Sequence, residues 1–267
     1  MCHYCGHRIA QPKLCPVCGS PYIAPFGTGT QKIEEMAAKM FPKARILRMD
    51  MDTTSKKGGH QEILSAFARG EADILIGTQM IVKGHDFPKV TLVGALAADL
   101  SLYAPDYRCS EETFELLTQA AGRAGRSSIP GNMVIQTYQP DHYSIQMAAR
   151  QDYEGFYEQE MNYRRLLGYP PAVGLLTLQI SDHREDRLDR AAGALAAMAE
   201  TFPDRFPGKQ IPFIGPVNAP VYKVNDIYRK ILYIKNENYD ILIHIRKMAE
   251  ACLEGLEGVA LQSDLDL

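Results

Sequence analysis

Residues 119–126 read Gln-Ala-Ala-Gly-Arg-Ala-Gly-Arg, a run whose residue types and spacing suit the binding of a phosphate. Arg123 and Arg126 lie three positions apart behind a helix-like stretch, Glu111 to Ala121, and Gly122 and Gly125 leave the backbone around them uncrowded. A spacing of three puts both guanidinium groups on neighbouring positions of one helical turn, so both can aim at one anion. Each is permanently charged and offers a planar fork of donors that suits phosphate oxygens. An arginine held against a transferring γ-phosphoryl group stabilises its transition-state charge and is worth roughly 10³–10⁵ in rate. A solvated helix end with arginines near its C-terminal dipole would read similarly. Gln119 in front, and the segments that follow, favour the phosphate.

No Gly-x-x-x-x-Gly-Lys-Ser/Thr occurs in the 267 residues, and the glycine-rich stretch Gly27-Thr28-Gly29-Thr30 is followed by Gln31 where a phosphate-binding lysine would be useful. No Asp-Glu-x-His type segment is present to hold magnesium. Half of an ATPase site is therefore missing, and the chain reads as the second half of a motor.

The segment Ile76–Pro88 has the marks of a phosphate-facing loop. Gly77 and Gly84 allow unusual backbone angles, Thr78 offers a hydroxyl, Lys83 a charge, and Asp86 a carboxylate able to reach a ribose hydroxyl. Glycine, threonine and aspartate also serve ordinary strand-to-helix turns. Its place ahead of the arginine pair, on the same edge of one sheet, favours function.

Cys2-x-x-Cys5 and Cys15-x-x-Cys18, each followed by a glycine (Gly6, Gly19), account for four of the six cysteines. Such turns bring pairs of thiolates to one ion, and four thiolates satisfy tetrahedral zinc. Disulfides are the competing chemistry, which an intracellular setting disfavours. His3 and His7 read as surface residues, and Cys109 and Cys252 as buried, inert thiols.

The net charge of −3 and pI near 6.2 exclude a uniformly basic nucleic-acid binder, so any DNA contact must come from local patches. A hydrophobic content of 46% is enough for substantial cores, and no apolar stretch is long enough to cross a membrane. The start, Met-Cys-His-Tyr-Cys, lacks the basic-then-apolar order of a secretion signal, and a metal knuckle at residue 2 suggests that Met1 is not the natural beginning.

The elements that must position these residues alternate from residue 31. Helices are expected at 31–40, 60–69 and 111–121, and strands at 45–49, 72–77, 91–97 and 132–138. Alternation predicts a parallel sheet covered on both faces, with ligands beyond the carboxyl ends of its strands, where Thr78 and Asp99 fall. A long connecting helix is expected over 141–167, closed by Pro170-Pro171. Beyond it come strand 173–180, helix 185–202, strands 212–217 and 228–235, helix 239–256 and strand 259–265. That β-α-β-β-α-β order is a split βαβ, ferredoxin-like domain. Tyr228, Arg229, Lys230 and Lys235 put aromatic and cationic groups on one strand beside Tyr222, Lys223 and Tyr233, which suits a nucleic-acid backbone with stacked bases. A solvated polar strand face is the plainer alternative.

The pattern Gln119–Arg126 resembles motif VI of superfamily 2 helicases, whose glutamine and arginines face the nucleotide. With Cys2–Gly6, Cys15–Gly19, Phe26-Gly-Thr-Gly-Thr30, Arg48-Met-Asp-Met-Asp-Thr53, Lys83-Gly-His-Asp-Phe-Pro88, Pro105-Asp-Tyr-Arg108, Gln136–His142 and Gly215–Pro220, essentially the whole chain resembles the PriA-type replication restart helicases of bacteria. The resemblance implies the C-terminal part of an ATP-driven 3′-to-5′ DNA helicase that acts at stalled forks and assembles the primosome. Its parts would be zinc-binding knuckles at 1–24, a second RecA-like lobe at 25–140, a linker at 141–171 and a DNA-binding α+β domain at 172–267. Gln119, Arg123 and Arg126 would meet the ATP phosphates, with Gly84, Asp86 and Gly122 completing the nucleotide contacts, and Thr78 and Lys83 would couple nucleotide to DNA. Cofactors would be Zn²⁺ on Cys2, Cys5, Cys15 and Cys18, with ATP and Mg²⁺ requiring the missing lobe. Family members bind zinc through eight cysteines in four pairs; only the last two pairs are present, and these need not share one ion. Forked and single-stranded DNA and the restart proteins would be partners, in the bacterial cytoplasm, and the chain alone should not hydrolyse ATP. The competing class is a zinc-containing DNA-binding scaffold without enzymatic activity, which has no need for two arginines at this spacing.

Overall fold

The computed structural model describes residues 12–16, 18–21, 29–54, 59–82, 87–124 and 130–266. They divide into two compact units, one within Gln11–Phe156 and one within Tyr157–Leu267.

The first unit opens with α1 (Thr30–Met40), β1 (Ile46–Met49), α2 (Gly59–Ala68) and β2 (Ile74–Gly77). β1 and β2 pair in parallel, Ile46 opposite Ile74 through Met49 opposite Gly77. The apolar positions of α2 recur at helical spacing, and Leu64 joins Met49 and Phe87 in a small core edged by Ile63, Phe67 and Leu75. Gly77 is required by close approach: a Cβ there would sit 2.6 Å from the Met49 carbonyl oxygen. β3 (Leu92–Ala95), α3 (Cys109–Ala121) and β4 (Asn132–Ile135) follow, with β3 and β4 again parallel. Phe114 and Leu117 of α3 pack with Ile145, Ala148 and Phe156, and the Phe114 and Phe156 rings stack at 4.2 Å.

The expected parallel sheet is therefore present as two separate two-stranded ladders among the described residues. Nor is the second covered on both faces. Ala95, Met133 and Ile135 face the α3 core, whereas Leu92 and Val134 are 63% and 59% exposed. A short apolar run in the sequence does not distinguish a half-exposed strand from a fully buried one. The single long helix expected over 141–167 is also corrected. Gln151 takes the left-handed conformation (φ 54°), ending α4 (Tyr143–Arg150), and the Asp152 carboxylate accepts the Gly155 N–H at 2.9 Å to start α5 (Tyr153–Leu167).

The second unit has β5 (Gly174–Asp182), α6 (Glu185–Glu200), α7 (Phe202–Arg205), β6 (Phe213–Val224), β7 (Ile227–Asn236), α8 (Tyr239–Leu253) and β8 (Ala260–Asp266). Its four strands run in the order β6-β7-β5-β8. β7 lies between β5 and β6 and antiparallel to both, which is the split βαβ arrangement. Leu176, Leu178 and Ile180 on β5 and Leu232 and Ile234 on β7 meet Leu188, Ala191 and Leu195 of α6 and Leu242, Ile245 and Ala249 of α8. Period two on the strands and three-to-four on the helices explain this single core. Asn225 and Asp226, with φ of 50° and 61°, form the two-residue hairpin between β6 and β7, as a primed turn requires. β6 extends seven residues beyond the expected end at 217, and the expected helix 185–202 stops at Glu200 before the short α7.

Candidate nucleotide and nucleic-acid site

Gln119 and Arg123 sit at the C-terminal end of α3, Gln119 exposed and Arg123 half-buried. The helix closes tightly there: Gly122 N–H donates to the Thr118 carbonyl and Arg123 N–H to the Ala120 carbonyl, both at 3.0 Å. Gly122 keeps a right-handed helical backbone (φ −64°, ψ −6°), so the motif starts as a continuation of α3. Arg126, the second arginine, lies outside the described residues, as do Lys83, Gly84 and Asp86 of the loop after β2. Thr78 directly follows β2, exposed, and its hydroxyl makes no capping bond to the short 3-10 turn Gln79–Ile81.

The carboxyl ends of the strands carry two carboxylates that bind the fold together. Asp50, just past β1, accepts from the Thr30 hydroxyl at 2.5 Å and from Thr53 N–H at 2.9 Å. Arg48 bridges Glu34 (3.2 Å) and Asp50 (3.3 Å), so the start of α1 is tied to the end of β1. The Thr30 hydroxyl, then the Thr53 N–H, hold the Asp50 carboxyl below the usual carboxylate range. Thr30 and Arg48–Thr53 entered the sequence reading only as part of the family resemblance, with no role given; the signal for one was the position of Asp50 directly after a strand. Asp99, just past β3, is wholly buried and accepts the Tyr138 N–H at 3.0 Å. Burial works to raise its pKa, and the hydrogen bonds to its carboxyl, with Tyr138 foremost, outweigh burial and leave it lowered.

Cys15 and Cys18 form a knuckle turn: Gly19 N–H donates to the Cys15 carbonyl at 2.8 Å and Cys15 N–H to the Ser20 carbonyl at 2.9 Å. Gly19 has a φ of 69°, a conformation that glycine adopts without strain. Cys18 is exposed and Cys15 half-buried, and a pair of thiolates on one turn fits half of a tetrahedral site. Cys2 and Cys5 lie outside the described residues, and no group of three or more metal-capable side chains occurs among the described ones.

In the second unit the four expected DNA-contact residues do not share a face. Tyr228 packs towards the helical core, and Lys230 pairs at 2.5 Å with Asp189 of α6. Arg229 and Lys235 alternate to the opposite face. The Lys235 ammonium caps α5 through the Leu167 carbonyl at 2.9 Å and lies 3.6 Å from the centre of the Tyr169 ring. Burial lowers its pKa. Tyr228 is held by Lys223, whose ammonium is 4.6 Å from the ring centre. Arg229 is the one of the four whose side chain makes no hydrogen bond or ion pair among the described residues.

Residues 23–128 match the helicase conserved C-terminal domain, and residues 165–265 the primosomal protein N C-terminal domain. The replication restart protein PriA of Bacillus subtilis (strain 168) is 50% identical over 234 residues, covering 88% of this chain and 29% of that protein. That of Synechocystis is 41% identical over 252 residues (94% and 30%), and that of Treponema pallidum 36% over 267 (99% and 40%). The chain belongs to the replication restart protein PriA family, to whose C-terminal part it corresponds. It spans about three-tenths of the length of the first two relatives.

Proposed function

We propose that this chain is the C-terminal portion of an ATP-dependent 3′-to-5′ DNA helicase that restarts stalled replication forks by primosome assembly. The observation that carries the reading is the Gln119–Arg126 pattern, whose described part closes α3, inside the stretch that matches a helicase C-terminal domain. As the second RecA-like lobe, the chain supplies Gln119, Arg123 and Arg126 to ATP phosphates held with Mg²⁺ by a first lobe. Arg123 and Arg126 then stabilise charge on the transferring γ-phosphoryl group. Gly84, Asp86 and Gly122 shape the nucleotide side, and Thr78 and Lys83 pass its state to DNA. Zinc bound at the cysteine pairs would supply a rigid tetrahedral tie, with Cys15 and Cys18 as one half. The knuckles, RecA-like lobe, linker and ferredoxin-like domain are assigned to 1–24, 25–140, 141–171 and 172–267. Forked and single-stranded DNA and the restart proteins are the partners, and the bacterial cytoplasm the setting.

In the second unit Arg229 leads the DNA contacts, since Lys230 and Lys235 already have partners within the chain. The test is Arg123→Ala in a form extended to the full length of the relatives. DNA-stimulated ATP turnover should fall by roughly 10³-fold or more, with forked-DNA binding retained. Turnover at the normal rate would end the nucleotide reading.

A further inference from the structure

We infer that Asp99 is a positioning residue for the arginine motif, acting from the opposite end of α3; this rests on Arg123 facing the nucleotide. Asp99 is wholly buried, and its hydrogen bonds join the ends of two strands: Oδ1 accepts the N–H of Tyr138, just past β4, at 3.0 Å, and the Thr137 side chain adds a second. Oδ2 has no hydrogen-bond partner among the described residues. A buried carboxylate with one oxygen left unpartnered is costly. A second cost lies two residues away, where Ala97 takes the left-handed conformation (φ 50°, ψ 52°), unusual for a residue with a Cβ. Both fall at the carboxyl end of β3, and both bear on the 3-10 segment Ala98–Tyr103 that follows.

That segment is the seat of α3. Ser101 Oγ lies 2.7 Å from Thr113 Oγ1, itself buried, and Thr113 donates to the Cys109 carbonyl at 2.7 Å in the first turn. Ala98 and Leu102 pack against the core that holds Phe114 and Leu117. Gln139, beyond β4, reaches the Tyr103 hydroxyl at 2.5 Å as a second tie. The segment is thus fixed to the β4 end on one side and to the first turn of α3 on the other. Thr113 and Arg123 are ten residues apart, about 15 Å along a helix axis. A tilt of about 4° at Thr113 would move the far end by about 1 Å, and misplacement of that size can cost about 10²-fold in rate. Asp99 therefore sets the aim of Gln119 and Arg123 without touching the nucleotide.

The experiment uses the full-length form, with steady-state ATP hydrolysis at saturating DNA. Asp99→Ala should lower kcat by roughly ten- to a hundredfold with little change in KM for ATP, the mark of a group that matters in the transition state. Asp99→Asn keeps an acceptor for Tyr138 and should retain the normal kcat. Thr113→Val, which removes the hydroxyl contact to Ser101, should lower kcat in the same direction. The double variant Asp99→Ala/Thr113→Val should add little, as expected for residues in one chain of contacts. A purely structural Asp99 would lower the melting temperature while the folded protein kept its kcat, and that result overturns the proposal. Full additivity of the two effects does so as well. If Asp99→Ala does not fold, a normal kcat in Thr113→Val is decisive against it. Arg123→Ala measured alongside separates the two readings. Normal turnover there removes the nucleotide role itself, whereas an inactive Arg123→Ala beside a normal Asp99→Ala removes only this inference.

Discussion

Lys235 shows how a charge that looks available in a sequence can be taken up within the fold. Its ammonium meets the Leu167 carbonyl, one of the acceptors that a helix end leaves unsatisfied, and stands over the Tyr169 ring. Lys235→Met keeps the aliphatic stem but removes both contacts. It should destabilise the protein by about 1–2 kcal/mol, combining one hydrogen bond with a partly desolvated cation–π contact. A urea titration with unchanged slope and a lower midpoint checks this; an unchanged midpoint would make the contacts energetically idle. Lys230 is similarly engaged by Asp189, while the side chain of Arg229, next to it in sequence, has no such partner among the described residues. These differences come from side chains on other elements, which spacing within one strand does not reveal.

At the scale of elements, the β1–β2 pair is fastened at its start by Arg45 and Asp73. Arg45 donates from its backbone N–H at 2.8 Å and from its guanidinium at 2.8 and 3.1 Å. The guanidinium hydrogen bond, then the backbone one, bring the Asp73 pKa down to about 2. The folded pKa is depressed, so this tie contributes at pH values above the unfolded value near 3.8 and is lost as pH falls through about 2. Asp73→Asn should therefore be less stable than the parent at pH 7, with most of the difference gone near pH 2. Denaturant midpoints at both pH values test the sign, and an equal difference at both would show that ionisation is irrelevant. The pair is solvent-exposed, so the effect should also shrink in high salt.

For the whole molecule, a net charge of −3 means that affinity for DNA must come from a local patch. Binding of single-stranded or forked DNA should be weak and fall steeply with salt, because counterion release drives it. Arg229→Glu should weaken binding on every sequence tested, since phosphate contacts do not read bases. A fluorescence titration at two salt concentrations decides: unchanged affinity would move the contact elsewhere, most simply to the loop around Lys83. Zinc is the other whole-molecule expectation. Protein purified under reducing conditions should contain about one zinc per chain by elemental analysis, consistent with four cysteine thiolates. Metal-free protein that keeps its fold would remove zinc from the account.

Much of this protein was determined locally. Alternating apolar runs and helix-period faces gave most of the order of elements and the split βαβ order after residue 172, because periods of two and about 3.6 are properties of the backbone. The arginine motif and the cysteine turns could be picked out because the chemistry proposed for them depends on short spacing. The tertiary structure alone decided what depends on distant partners. It broke the helix expected over 141–167 at Gln151 and Asp152. It left one face of β3 and β4 uncovered, and it placed Tyr228 and Lys230 on one side of β7 and Arg229 and Lys235 on the other. It also buried Asp99 against Tyr138, thirty-nine residues away. A side chain's availability is set by what the fold brings beside it, and that information is not carried by its near neighbours in sequence.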